Sequence, residues 1–404
     1  MNHIAVVGAS LAGLHVVQHL RRLGFTGRLT LVGEELHLPY DRPPLSKKIL
    51  LGLATLDDIA LRAQPWDALD LDLRLGVRAV GLDASTKSLS LSDGEVLQPD
   101  AIVLCTGVRA RELPHIVSVP GVHVLRTLED AQAIGSLLDE NERVVVIGGG
   151  FIGAEVAAVA RERGLEVCLA EPAPTLMLRG IGPRWGSFME RVHRERGVDV
   201  RTGTGVHAVE GNERLQAVVL SDGTRIETSL MVVGIGGVPN TEWLEDSGLE
   251  IDNGVVVDAH GETATPGIWA VGDVARFYHD GYGEHVRMEH WTNAVEMAKI
   301  VAQNMLQDSR AVFVPTPLVW SDQYDLKLQT AGRFLPDDEE IVTMGSEEEG
   351  EFLALRGRGG VLTGALSVNR ASMLVRMKML IAKGASLDDA VAMATKMHRP
   401  AVSA

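Results

Sequence analysis

Short apolar runs without polar alternation recur along this chain, and several stand directly before glycine-rich turns. His3-Ile4-Ala5-Val6-Val7 and Arg143-Val144-Val145-Val146-Ile147 are too short for helices and apolar on both faces, which predicts strands buried in parallel sheets. The first leads into Gly8-Ala9-Ser10-Leu11-Ala12-Gly13 and the second into Gly148-Gly149-Gly150-Phe151-Ile152-Gly153, each followed by a helix-like stretch. The second of these helices is predicted over 150–163. About twenty residues past each turn the next strand ends in acid, Leu29-Thr30-Leu31-Val32-Gly33-Glu34 in one case and Glu166-Val167-Cys168-Leu169-Ala170-Glu171 in the other.

The rest of the pattern nests one unit inside another. A strand pair around Arg74 to Leu91 and the run Asp100-Ala101-Ile102-Val103-Leu104-Cys105-Thr106-Gly107 complete a first segment over 1–112. Residues 113–236 form a second α/β unit, with a strand pair from Gly205 to Ile226 and a closing strand Leu230-Met231-Val232-Val233-Gly234-Ile235-Gly236. A strand ending in Gly267-Ile268-Trp269-Ala270-Val271-Gly272-Asp273 and a helix from Thr292 to Leu306 return the chain to the first unit, so 237–312 belongs with 1–112. From about Phe313 strand patterning resumes, interrupted by Pro336-Asp337-Asp338 and by Glu347-Glu348-Glu349-Gly350, which reads as a solvated hairpin tip. Helical periodicity follows over 371–382 and 387–397. The fold class is α/β: two Rossmann-like nucleotide-binding domains, 1–112 with 237–312 and 113–236, followed by an α+β domain at 313–404.

Composition narrows the function classes. At 404 residues the chain is too long for one ordinary domain. Its net charge of −16 argues against nonspecific nucleic-acid binding, which needs a basic face. No run is long enough to span a bilayer, and the N-terminus enters a strand without a basic, then apolar, leader; a cytoplasmic location is expected. Cys105 and Cys168 are the only cysteines, far apart in apolar runs, and read as buried packing residues in a reducing compartment. The thirteen histidines are scattered and no metal-ligand spacing occurs, so no protein-bound metal is expected.

The two glycine turns carry the chemistry. Glycine lets the backbone approach a pyrophosphate at the start of the next helix, where unpaired N–H groups supply partial positive charge. The strand-end acids Glu34 and Glu171 are placed to accept hydrogen bonds from an adenosine ribose. Two such turns, each with strand, helix and acid in order, imply two nucleotides. The first turn departs from pattern, because Ser10 stands where the second glycine is usual; it is small, and its hydroxyl can donate.

Several further strings occur in order: Leu38-Pro39-Tyr40-Asp41-Arg42-Pro43-Pro44-Leu45-Ser46-Lys47, Gly272-Asp273, Met288-Glu289-His290-Trp291-Thr292-Asn293-Ala294 and Trp320-Ser321-Asp322-Gln323-Tyr324. With the paired turns, the chain resembles the FAD-dependent NADH:ferredoxin reductases that serve bacterial oxygenase systems, over nearly its whole length and least after about Leu335. The resemblance implies a glutathione-reductase-like arrangement with FAD in the first domain and NADH in the second. Gly8, Ser10, Leu11, Ala12, Gly13 and Glu34 would hold the FAD pyrophosphate and ribose, with Ala79 near the adenine. Arg42, Pro44, Lys47, Thr106, Gly107, Arg126 and Asp273 would contact the rest of FAD, and Trp291 would lie at the flavin ring. Gly148, Gly150, Phe151, Ile152, Gly153, Glu171 and Gly236 would hold NADH. Lys47 paired with Glu155 would stabilise charge on the flavin, Glu289 would lie near the nicotinamide carboxamide, and Trp320 toward the flavin and the ferredoxin-facing side.

The residues themselves leave some of these roles open. Asp273 could equally cap the segment after it, Lys47 could solvate a surface turn, and Glu289 could be a surface residue. Glu171, followed by Pro172-Ala173-Pro174, would repel a 2′-phosphate, which predicts NADH over NADPH. Hydride transfer needs nicotinamide and flavin within about 3–3.5 Å, so alignment is the protein's main task. The resemblance implies a 2Fe-2S ferredoxin partner, and because the chain has no cysteine set for a cluster of its own, the iron would be on that partner. An acidic ferredoxin would need a local basic patch, for which Arg287, Arg310, Lys327 and Arg333 are candidates. A disulphide reductase needs a cysteine pair where this chain reads Pro43-Pro44-Leu45-Ser46-Lys47-Lys48. A rubredoxin or other small-acceptor reductase, and an NADH-sensing flavoprotein of the apoptosis-inducing-factor type, stay open beside the ferredoxin reading.

Overall fold

The apolar runs pair with one another in parallel, as their lack of alternation requires. In the computed structural model, which describes residues 1–61, 66–114, 116 and 119–398, the chain divides into two compact units. The first gathers Met1–Asp41, Leu56–Arg109 and Gly237–Pro315; the second gathers Arg42–Thr55, Ala110–Gly236 and the chain from Thr316 onward. Residues 113–236 and 313–404, which the pattern separates, thus share one unit, and they are joined there by 42–55.

In the first unit a five-stranded parallel sheet runs in the order Ile268–Ala270, Ala101–Leu104, His3–Val7, Arg28–Gly33, Leu71–Leu75. The chain winds outward from His3–Val7 in one direction and then resumes on its other side with Ala101–Leu104. That reversal opens a crevice beyond the carboxyl ends of the strands, where ligands bind in sheets of this kind. Ile4, Ala5, Val6, Leu29, Leu31, Ile102 and Val103 are fully buried, which accounts for runs apolar on both faces. Helices Leu11–Arg22 and Trp291–Leu306 pack together beside the sheet.

The second unit repeats the scheme. Its parallel sheet runs Asp199–Thr202, Glu166–Glu171, Arg143–Ile147, Met231–Val233, Val122–Val124, with the reversal again beside the strand that precedes the glycine turn. Helix Phe151–Glu162 follows that turn, matching the expected 150–163 within its caps. The region read as a strand pair from Gly205 to Ile226 forms three strands, Val206–Glu210, Ala217–Leu220 and Arg225–Glu227, because Gly223 at φ +86° lets the chain reverse once more.

An antiparallel sheet, ordered Leu318–Gln323, Leu326–Gly332, Val361–Val368, Glu351–Arg358, Glu339–Ser346, completes this unit. Helices Ala371–Ala382 and Leu387–His398 cover it through Met373, Leu374, Met377, Leu387, Ala390 and Ala394. Helix Leu178–Glu195, kinked at Gly182, ties the parallel sheet of the unit to its antiparallel sheet. Trp185 is fully buried, stacks on Phe352 at 4.7 Å between ring centroids, and donates its indole N–H to Glu340 at 2.9 Å. The acidic turn is therefore not wholly solvated. Glu347 reaches Arg184 at 2.9 Å and Arg191 at 3.2 Å, two arginines one heptad apart on that helix, and only Glu348 and Glu349 are exposed.

Candidate functional site

Each glycine turn is shaped by contacts that forbid side chains. Gly8 has φ +117°, and a Cβ there would lie 2.2 Å from the Cys105 carbonyl oxygen; a Cβ on Gly13 would lie 2.0 Å from the Gly8 oxygen. In the second unit a Cβ on Gly148, at φ +100°, would meet the Gly234 oxygen at 2.4 Å, and one on Gly153 the Gly148 oxygen at 1.9 Å. The flanking backbone bonds match as well. Gly8 N–H donates to Val32 at 2.8 Å and Gly148 N–H to Ala170 at 2.8 Å, at equivalent points of the two sheets. The first and last glycines therefore press each helix start against its strand.

The middle position is different in kind. A Cβ on Gly150 would have nothing within 4 Å, so this glycine is not required by the protein's own packing. Ser10 occupies the corresponding place as N-cap of Leu11–Arg22, in extended conformation, and its hydroxyl makes no capping bond. Neither this helix nor Phe151–Glu162 has an acid in its first turn. Helix Leu128–Glu140 shows the ordinary solution: Thr127 and Asp130 form a capping box, with Glu129 beside them. Two helix starts with no acid in the first turn and no side-chain cap, at sheet reversals, are the donor set a pyrophosphate requires. The residues fit one dinucleotide in each unit.

Around the first turn, Gly272 brings its loop within reach of the helix start, since a Cβ there would lie 3.1 Å from Ala12 Cβ. Asp273 follows in a short 3-10 turn and is half-buried. Thr106 and Gly107, past the neighbouring strand, are locked to Asn240: Thr106 Oγ1 donates to its carbonyl at 3.0 Å, and its side-chain amide donates back at 2.8 Å. Glu34 is exposed and 3.5 Å from Arg78, while Ala79 is buried. Trp291 opens its helix half-buried, with its indole N–H donated to Asp41 at 2.8 Å. Glu289 is paired with Arg287 at 2.7 Å, and Arg287 also donates to the Asp273 carbonyl at 3.1 Å. Arg287, with a side chain 10% exposed, is thereby withdrawn from the expected basic patch. Arg310 pairs with Glu262 at 2.6 Å, and Lys327, of the second unit, is exposed.

In the second unit Glu171 braces the glycine turn. One carboxylate oxygen accepts from Gly149 N–H at 2.6 Å and the other from Ala173 N–H at 2.7 Å. Lone pairs remain on both oxygens for a ribose hydroxyl. Phe151 lies against Gly180, Ile152 is 43% exposed, and Gly236 turns at φ +103° with open space where a side chain would point. Arg42 donates to the Arg126 carbonyl at 2.7 Å, joining two residues expected at the flavin.

Pro44 caps a single π-helical turn, Leu45–Ile49, that carries Lys47. The expected ion pair is present: Lys47 Nζ lies 2.8 Å from Glu155 Oε1, with side chains 15% and 4% exposed. Ser46 and Ser321 both donate to the Glu155 carboxylate, the latter at 2.5 Å. Burial pushes this carboxyl above its ordinary range, while the Lys47 ammonium and the two hydroxyls pull it back. Ser46, Ser321, Gln323 and His193 are the buried polar residues that sequence reasoning passed over. The signal was available for two of them, since Ser321 and Gln323 occupy alternate, inward positions of one strand where apolar residues are the rule.

The pyridine nucleotide-disulphide oxidoreductase family matches residues 2–298, and a reductase C-terminal family matches 318–398. Putidaredoxin reductase of Pseudomonas putida is 37% identical over 392 residues, covering 94% of this chain and 92% of the relative. The ferredoxin–NAD(+) reductase subunit of the benzene 1,2-dioxygenase system of Pseudomonas putida is 35% identical over 388 residues, covering 94% of both. Among solved structures, a covalent putidaredoxin reductase–putidaredoxin complex superposes with a TM-score of 0.92 at 35% identity, covering 98% of this chain and 99% of the other. With its duplicated glycine turns and its closing antiparallel domain, the chain belongs to the pyridine nucleotide-disulphide oxidoreductases, among the ferredoxin–NAD(+) reductases.

Proposed function

We propose that this chain passes electrons from NADH through FAD to a 2Fe-2S ferredoxin that supplies a bacterial oxygenase. The observation that carries the reading is the duplicated helix start, with no acid in its first turn and no side-chain cap, at the reversal of each parallel sheet. We assign 1–112 with 237–312 to FAD, 113–236 to NADH and 313–404 to a C-terminal domain. Gly8, Ser10, Leu11, Ala12 and Gly13 would hold the FAD pyrophosphate, Glu34 its ribose, and Asp273 the chain toward the flavin. Gly148, Gly150, Phe151, Ile152 and Gly153 would hold the NADH pyrophosphate. Bound FAD accepts a hydride and releases electrons singly, which is the conversion a one-electron ferredoxin requires.

The chain's own residues set the direction and selectivity. Glu171 accepts a ribose hydroxyl and repels a 2′-phosphate, favouring NADH. Lys47, fixed by Glu155, offers a positive charge to reduced flavin without carrying net charge into the site. We assign Trp291 to the flavin ring and Glu289 to the nicotinamide side. The chain has two cysteines, both buried, so it lacks the redox pair that disulphide chemistry demands. No helix among the described residues is long and apolar enough to cross a membrane, and we infer a cytoplasmic location. Anaerobic stopped-flow absorbance tests the function: NADH should bleach the flavin rapidly, and a second mix with a 2Fe-2S ferredoxin should restore it as the cluster is reduced. Bleaching without transfer to any of several ferredoxins would sink the acceptor assignment.

A further inference from the structure

Behind Glu155 the second unit holds a continuous line of polar side chains. Ser321 Oγ lies 2.5 Å from Glu155 Oε1, and Gln323 Nε2 lies 3.0 Å from Ser321 Oγ. His193 Nε2 lies 2.9 Å from Gln323 Oε1, and Tyr324 OH lies 2.9 Å from His193 Nδ1. Ser321, Gln323 and His193 are at most 1% exposed, while Tyr324 is half-buried at the outer end.

The chemistry of the inner end fixes the direction of every bond. Glu155 Oε1 already faces the Lys47 ammonium, which can only donate, so this oxygen is an acceptor and the Ser321 hydroxyl donates to it as well. Its oxygen then accepts from the Gln323 amide N–H. The amide carbonyl, left facing His193, needs a donor, which makes the imidazole the Nε2–H tautomer. The bare Nδ1 accepts the Tyr324 hydroxyl. Burial of His193 holds its pKa down to about 4, consistent with a neutral ring at neutral pH. Reversal would require the amide to turn over and the imidazole proton to change nitrogen. An amide offers no titratable proton, so the line is an aligned set of dipoles and not a proton wire.

We propose that Ser321, Gln323 and His193 are positioning residues of the Lys47–Glu155 pair, a one-way line of donors that holds Glu155 ionised and keeps the pair neutral overall. Glu155 is faced by the Lys47 ammonium and the Ser46 and Ser321 hydroxyls, and Arg161, Glu162 and Arg196 surround Tyr324 at the far end. The redox consequence of the line rests on the assignment of this pair to the flavin. The line itself does not.

The tests use the flavin-bound protein. Ring-labelled histidine spectra, with His193 assigned by its loss in His193→Gln, should show the Nε2–H tautomer from about pH 6 to about pH 8; the Nδ1–H tautomer or an imidazolium would overturn the proposal. Infrared difference spectra on acidification should show a protonated buried carboxyl near neutral pH in Ser321→Ala, absent from the Ser321→Ala/Glu155→Gln double variant and from Ser321→Thr, which keeps the hydroxyl. Failure of that band to appear in Ser321→Ala also overturns it. The flavin midpoint potential separates the two readings. A protonated Glu155 leaves Lys47 uncompensated, so Ser321→Ala should shift the equilibrium toward reduced flavin by about tenfold on the acid side of neutrality. With tautomer and carboxyl band as expected and no shift in potential, the line stands and the flavin assignment of the pair falls.

Discussion

Glu171 carries two duties that one substitution can separate. It braces Gly149 and Ala173 through backbone N–H bonds, and in the proposed site it would present negative charge to a 2′-phosphate. Glu171→Ala should therefore narrow the NADH over NADPH ratio of kcat/KM by about tenfold or more and also raise the KM for NADH, because the turn loosens. Glu171→Gln, which keeps one acceptor, should narrow the ratio with less effect on KM. His193 makes a pH prediction. Its pKa is held down to about 4 by burial, so the unfolded chain binds the extra proton first as pH falls. Stability from this group is complete above about pH 6.5 and is lost through about pH 4, on the order of 3 kcal/mol. Urea unfolding across that window should show the loss, and His193→Gln should flatten it. The turn glycines were legible in the sequence because their spacing within each turn is local, although the contacts that demand Gly8 and Gly148 come from the distant Cys105 and Gly234. The His193 line was not, since its partners lie 130 and 166 residues apart along the chain. Glu289 is an intermediate case: its ion-pair partner Arg287 stands only two residues before it, but an alternating pair of charges is common on solvated surfaces and does not by itself announce a contact.

A helix start left without a cap is a cost that a ligand can offset. Ser10→Asp should cap Leu11–Arg22 and favour its dipole, stabilising the flavin-free protein by about 1 kcal/mol. The same carboxylate would face the pyrophosphate, so the variant should purify largely without flavin yet melt higher than flavin-free wild type. Calorimetry beside the flavin-to-protein absorbance ratio reads both effects, and full flavin content would contradict the phosphate assignment. Helix Leu178–Glu195 makes the complementary case, an element whose value is tertiary. Trp185→Ala empties a stacked, hydrogen-bonded position and should destabilise the second unit by about 3–5 kcal/mol, measured by denaturant unfolding. Strands and helices were readable from periodicity. The pinning of Glu347 was not, because an acidic turn and two arginines on a distant helix have no common local pattern.

Across the whole molecule the net charge of −16 opposes an acidic partner, so docking depends on a few local cations. Arg287 is paired and only 10% exposed, and Arg310, though exposed, is bound to Glu262, so Lys327 is the exposed member of the expected patch that stands outside these two ion pairs. Lys327→Glu should slow ferredoxin reduction about threefold or more at low salt, with the gap closing as salt rises and the rate of flavin reduction by NADH unchanged. An identical salt dependence in both proteins would remove Lys327 from the docking surface.

Ser321 and Gln323 lie on the first strand of the closing antiparallel sheet, whereas Glu155 and His193 belong to helices of the α/β segment before it. The C-terminal sheet is thus no interchangeable module for partner choice. A chimera that grafts this domain from a relative to retarget the electron carrier would also transplant the wiring of a buried charge. Grafts that keep serine and glutamine at these two positions should retain the donor chemistry, and those that do not should alter Glu155 before any new partner is met.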